Sequence, residues 1–206
     1  MRSEPVADFD VRSGAGKSTL LNMVAHRKPP HKSTSTGQLF LNGSPANLRT
    51  FRRISAYVEQ EDALVGSLTV RETLDFAMRL SLPSSLKASV RKQHVEYLLK
   101  SFGLDGQADD LIGTPVRKGI SGGQKRRVSI ASQLITGPKI LFLDEPTSGL
   151  DSAAAFEVVS FLKDVAQRHG VSIHLVDTVL TAVLIVYSAD RRRFHAPALH
   201  VHVRHV

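Results

Sequence analysis

The sequence predicts an α/β fold built on a largely parallel sheet, and three observations carry that expectation. Strand-like and helix-like segments alternate along the chain, as they do when helices cross over between parallel strands. Ile140-Leu141-Phe142-Leu143 is a continuous apolar run, the pattern of a strand covered on both faces. Arg12-Ser13-Gly14-Ala15-Gly16-Lys17-Ser18-Thr19 is a small-residue loop standing directly before a helical pattern, an arrangement suited to holding an anion.

The elements follow in order. Leu20, Leu21, Val24 and Ala25 fall at helical spacing behind the loop, and Pro29-Pro30 ends that helix. Gln38 to Leu41 reads as a short strand entering an Asn42-Gly43 turn, and Ile54 to Val58 as a second strand. Thr69 and Glu72 make a capping box for a helix that runs through Leu74, Phe76, Ala77 and Leu80 to Pro83. Ser84 or Ser85 opens the next helix, with Val90, Val95, Leu98 and Leu99 apolar and Gly103 as its stop. A helix from about Ser121 carries Val128, Ile130, Ala131, Leu134 and Ile135 until Gly137-Pro138 breaks it. Asp151 caps a long helix ending at Gly170, and Val171 to Val176, with His174 inside it, is a further buried strand.

Length and composition narrow the function. The chain has 206 residues, room for one sizeable core. A six-helix membrane domain alone would need about 20 apolar residues per span, roughly 120 in all. The longest apolar stretch, Val179 to Tyr187, is interrupted by Thr181, so no membrane span is expected. Met1 to Asp10 is polar and acidic, without the apolar region of a signal peptide. The absence of cysteine excludes disulfides, thiolate metal sites and cysteine nucleophiles. The net charge is +8, yet aromatics are only 6% with no tryptophan, which is a poor composition for stacking on single-stranded nucleic acid. No nucleic-acid partner is expected.

Three segments carry chemistry. Gly14, Gly16, Lys17 and Ser18 fit the phosphate-loop pattern G-x-x-x-x-G-K-[ST], with Val11 where the first glycine belongs. Backbone N–H groups of such a loop cradle phosphates, the lysine reaches the outer phosphates, and the hydroxyl ligates Mg²⁺. Asp144 and Glu145 end the apolar run, placing two carboxylates where parallel sheets bind ligands. Asp144 suits a Mg²⁺ role and Glu145 a water-polarising one. In Ile120-Ser121-Gly122-Gly123-Gln124, two glycines permit close backbone approach at a helix N-terminus that favours an anion.

Ser-Gly-Gly-Gln followed by an apolar strand and Asp-Glu resembles the signature of ATP-binding cassette (ABC) proteins. Further segments match in order: Gln60 resembles the Q-loop glutamine, Pro146 to Asp151 the D-loop, and His174 the switch histidine. Tyr57 to Asp62, Leu68 to Leu74 and Lys125 to Asp151 are similar to the G subfamily of pigment-precursor and sterol or drug exporters. The resemblance covers about Ser13 to His174. It implies a P-loop three-layer α/β sandwich of ABC ATPase type with a helical insert at about 69–136, within a domain spanning 1–176. It also implies ATP and Mg²⁺ as ligands, and a second cassette paired head to tail. A membrane domain is normally fused or associated, so the expected place is the cytosolic face of a membrane, driving export of a hydrophobic substrate. By position, Gly14, Ala15, Gly16, Lys17, Ser18 and Thr19 hold phosphates; Ser18, Gln60 and Asp144 surround Mg²⁺; Glu145, with Gln60 and His174, serves catalysis. Ser121, Gly122, Gly123 and Gln124 act on the partner's nucleotide, and Asp151 couples the two sites. Arg126 and Arg127 are expected on a solvated helix face.

The chain departs from the pattern twice. Met1 to Val11 carries three acids and a proline where an apolar strand is expected, so the N-terminal strands and an adenine-stacking aromatic are largely missing. A β-branched Val11 at a glycine position predicts weakened nucleotide binding. After His174 the family continues Gln-Pro-Ser, whereas this chain reads Leu175-Val176-Asp177. Residues 177–206 are expected to be a disordered basic tail containing Arg191 to Arg193 and four histidines, with His200-x-His202 lacking the partners of a metal site. Two rival readings remain open: a cassette ATPase that moves no solute, and a non-catalytic fragment that only pairs with intact cassettes.

Overall fold

The computed structural model describes residues 16–27, 37–41, 44–177, 185–187 and 199–203, with side chains described at 16–27, 40–41 and 44–177. Val11, Gly14, Ala15, the Asn42-Gly43 turn and Arg191 to Arg193 lie outside the described residues. The elements run α1 (Lys17–Val24), β1 (Gly37–Leu41), β2 (Ser44–Pro45), α2 (Leu48–Ile54), β3 (Ser55–Val58), α3 (Val70–Ser81), α4 (Ala88–Ser101), α5 (Gly122–Leu134), β4 (Ile140–Asp144), α6 (Ser152–His169), β5 (Ser172–Val176), β6 (Ile185–Tyr187) and β7 (Leu199–Val203). They fall into two units, one of residues 1–60, 138–148 and 159–206, the other of residues 61–137 and 149–158.

The first unit is organised by the sheet β3-β4-β5-β6, in which β3, β4 and β5 are parallel and β6 is antiparallel. Every residue of β4 and β5 is buried, which is why β4 reads as an unbroken apolar run up to Asp144, while β5 encloses Ser172 and His174 among its apolar residues. Leu21 of α1, Ala25 at its C-cap and Phe51 of α2 form a core with Ile140, Phe142 and Val176. Each large side chain buried there contributes roughly 1.5–3 kcal/mol. Asn47 starts α2 by accepting a hydrogen bond from the Arg49 N–H, a helix the sequence reading passed over because only seven residues follow the cap. A second sheet, β2-β1-β7, pairs Gly37–Leu41 antiparallel with Leu199–Val203. Residues expected in a disordered tail thus supply two strands, β6 against β5 and β7 against β1.

The second unit is helical and wider than the expected 69–136 insert. Thr69 and Glu72 close the capping box of α3: Thr69 Oγ1 accepts from the Glu72 N–H, and Glu72 Oε2 accepts from the Thr69 N–H. The helix stops before Pro83 because Leu82 is pushed to an extended conformation, φ −110° and ψ 155°. Val70, Leu74 and Met78 form the buried face of α3, and Val95, Leu98 and Leu99 that of α4. Phe76 and Leu80, read as part of the apolar pattern, are 52% and 73% exposed. They follow Leu74 by two and six positions, which steps of about 100° carry to the far side of the helix. The next helix starts at Ala88 rather than at Ser84 or Ser85, since the Leu86 N–H donates to the Pro83 carbonyl in an intervening turn.

Candidate active site

Within the first unit, the carboxyl end of β4 gathers the acids and their partners. Gly16 takes φ +85° at the N-cap of α1, a left-handed conformation that suits glycine, and so sets Lys17 and Ser18 in the first helical turn. Ser18 Oγ donates to Asp144 Oδ1 at 2.8 Å. Tyr57 Oη donates to Asp144 Oδ2 at 3.0 Å, so both oxygens of this buried carboxylate are engaged. Burial, and next the negative charge of Asp144, push the Tyr57 hydroxyl pKa well above its ordinary value, keeping it a donor. Arg27 lies over the Tyr57 ring at 4.2 Å and pairs with Glu59. Gln60 Nε2 donates to Glu145 Oε2 at 2.8 Å. Lys17 is buried at the same helix start, and Thr19 is exposed.

Glu145 holds φ +41°, an uncommon conformation for a side-chain-bearing residue and a strain of about 1–3 kcal/mol. Its N–H donates to the Val176 carbonyl at 2.7 Å, and its carbonyl accepts from the Ser148 N–H at 3.0 Å. The strand therefore turns sharply at the point where its second carboxylate emerges.

His174 lies inside β5, where the strand reading of the sequence put it. The register sets it opposite Phe142, two positions before Asp144, with the rings 5.5 Å apart. It is 2% exposed, and neither ring nitrogen has a hydrogen-bond partner. Burial lowers its pKa to about 4, so it is neutral at physiological pH. In this register the histidine packs inside the strand, short of its carboxyl end, as a buried residue against Phe142. Val176 and Asp177 occupy the strand's end instead.

The second unit carries Ser121 to Gln124 and Asp151. Ser121 caps α5: its Oγ accepts from the Gln124 N–H, while Gln124 Oε1 accepts from the Ser121 N–H. Asp151 Oδ1 accepts from the Ala154 N–H, capping α6 as expected. Arg126 is not on a solvated face. It is 4% exposed and pairs with Asp62 at 3.0 Å. Burial raises the Asp62 pKa, and the Arg126 charge opposes that rise. A basic run in sequence does not reveal that the fifth residue of α5 faces inward.

Two residues were missed. Tyr57 precedes Gln60 by three positions and was read as a strand residue opening a family-like segment, with no role at the site. Asp177 is buried, and its Oδ2 accepts from both the Thr147 N–H at 3.1 Å and Thr147 Oγ1 at 2.7 Å. No sequence signal marked that pair, which is separated by 30 positions.

Comparison with known proteins bears on this arrangement. Residues 12–148 match the family described as ABC transporter. The chain is 46% identical over 156 residues to ABC transporter G family member 24 of Dictyostelium discoideum, covering 76% of this chain and 13% of that protein. It is 38% identical over 192 residues to the Bos taurus broad substrate specificity ATP-binding cassette transporter ABCG2, covering 90% of this chain and 29% of that one. It is 47% identical over 161 residues to ABC transporter G family member 1 of Arabidopsis thaliana, covering 78% and 22%. The chain thus spans less than a third of the length of these relatives. Among solved structures it resembles the dimeric post-hydrolysis ATP-binding cassette MJ0796 bound to ADP and Pi, with TM-score 0.60, 27% identity, and coverage of 83% of this chain and 74% of that one.

Proposed function

This chain belongs to the ABC transporter family, in its G subfamily, and from that membership and the site geometry we propose that it binds and hydrolyses ATP as the motor domain of an exporter. The observation that carries the reading is the pair of contacts at the end of β4: Ser18 on Asp144, and Gln60 on Glu145. A hydroxyl and a carboxylate 2.8 Å apart are hard oxygen donors that fit Mg²⁺, which takes one or two protein oxygens alongside substrate phosphates. Mg²⁺, when bound there, offsets the charge of the phosphate oxygens.

The chain's own groups do the rest. Lys17 places a cation at the start of α1, where the helix dipole also favours phosphate. Glu145 accepts the proton of the water that attacks the γ-phosphorus. The bond between that phosphorus and the oxygen bridging to the β-phosphate breaks, giving ADP and phosphate. Gln60 restrains the Glu145 carboxylate for this step. Ser121 to Gln124 serve a nucleotide held by a second cassette. Gly14 and Ala15 complete the phosphate cradle in this reading. No described helix is long and apolar enough to cross a membrane, so the transported lipid, sterol or drug-like substrate would be chosen by an associated membrane domain at whose cytosolic face this unit works.

A second reading, a nucleotide-binding partner that does not hydrolyse, is favoured by the position of His174 inside the sheet. Phosphate release by the purified chain separates the two. Glu145→Gln is expected to lower hydrolysis by about 100-fold or more while ATP binding persists. Equal rates in both proteins would refute the enzymatic reading. ATP binding without any hydrolysis in the wild type would favour the second.

A further inference from the structure

We propose that Asp177 is a positioning residue for Glu145, acting through Thr147. The end of β5 holds the turn after β4 at two points. The Val176 carbonyl accepts the Glu145 N–H, and the Asp177 carboxylate accepts both the backbone N–H and the hydroxyl of Thr147. Between these anchors lies the left-handed Glu145, whose carbonyl is tied to Ser148 across the same turn. An uncommon backbone conformation persists where its surroundings over-determine it, and here the surroundings are Val176 and Asp177.

Burial strengthens the argument. Thr147 is fully buried and Asp177 is 1% exposed, so water does not compete for their hydrogen bonds. A charge-assisted bond in such a place is stronger and more directional than one at the surface. Two hydrogen bonds from Thr147 end on the Asp177 carboxylate. What it fixes is the loop Pro146 to Ser148, and through that loop the direction in which Glu145 leaves the strand. The arrangement also gives a use to the point where the sequence departs from its family: Asp177 stands one residue beyond β5 and is buried there.

The inference rests on the ATPase reading, with Glu145 as proton acceptor. The test measures ATP hydrolysis and ATP affinity of the full chain as wild type, Asp177→Ala, Asp177→Asn, Thr147→Val and the Asp177→Ala/Thr147→Val double variant. Displacing a reacting group by about 1 Å costs on the order of 100-fold, so Asp177→Ala is expected to lose about 10- to 100-fold in kcat with ATP affinity within about twofold. Asn keeps an oxygen acceptor in the same place and should recover most of the rate. Thr147→Val, isosteric and suited to a buried site, should lose rate even if Asp177→Ala fails to fold. The double variant should be no slower than Asp177→Ala, since both act on one contact. An Asp177→Ala protein as fast as wild type would overturn the inference, as would equal losses in rate and affinity. A wild type that does not hydrolyse ATP would instead overturn the ATPase reading, and this inference with it.

Discussion

Replacing His174 with leucine should stabilise the protein and flatten its acid sensitivity. The imidazole is buried in β5 with both nitrogens unpartnered. Each polar group buried without a partner costs about 1–3 kcal/mol, and leucine removes both while filling a similar volume against Phe142. A gain of about 2 kcal/mol at pH 7 is expected, or roughly 4–8 °C in Tm for a chain of this size. The pH dependence follows from the pKa of about 4 in the folded state against 6.5 for the free side chain. Below pH 6.5 the unfolded chain takes up a proton that the folded chain refuses, so the stability this residue leaves at neutral pH drains away as pH falls to about 4. The gap of 2.5 units corresponds to about 3 kcal/mol. Denaturant unfolding of both proteins between pH 4 and 8 measures it, with the difference between leucine variant and wild type widening towards acid. A leucine variant less stable than wild type at pH 7, with an unaltered pH slope, would refute the reasoning and return His174 to a polar role at the nucleotide.

Two further substitutions test the second unit. Arg126→Ala removes the ion-pair partner of the Asp62 carboxylate, leaving it the Ser129 hydroxyl and the Lys125 charge, and should cost about 3 kcal/mol by denaturant unfolding. Pairing Arg126→Met with Asp62→Leu should recover most of that loss, and a double variant as unstable as Arg126→Ala would contradict the ion-pair account. Thr69→Ala opens the capping box of α3 and should cost about 1 kcal/mol, read as a Tm lower by about 2–4 °C.

The cassette motifs were legible because each is local. Thr69 with Glu72, and Ser121 with Gln124, are three positions apart, and the N-terminal geometry of a helix brings such pairs together without help from the rest of the fold. The buried run at Ile140 to Leu143 announces a covered parallel strand, and the acids after it fall at the strand's carboxyl end wherever that strand is placed. Arg126 was misread for the opposite reason. Whether an arginine in a basic run faces water or a carboxylate depends on Asp62, 64 positions earlier, and no pattern within one helix reports it.

The sequence alone therefore determined the family, the strand that carries Asp144 and Glu145, and the helix caps around the signature segment, since these depend on residue type and short-range spacing. The tertiary structure decided register and partner. Sliding β5 along β4 changes neither segment's composition, yet it chooses whether a histidine or an aspartate stands beside the turn. The backbone pairing set His174 against Phe142 and left Asp177 to hold Thr147. A strand's identity is written in its own residues, but its register is fixed by the hydrogen bonds it makes to a neighbour.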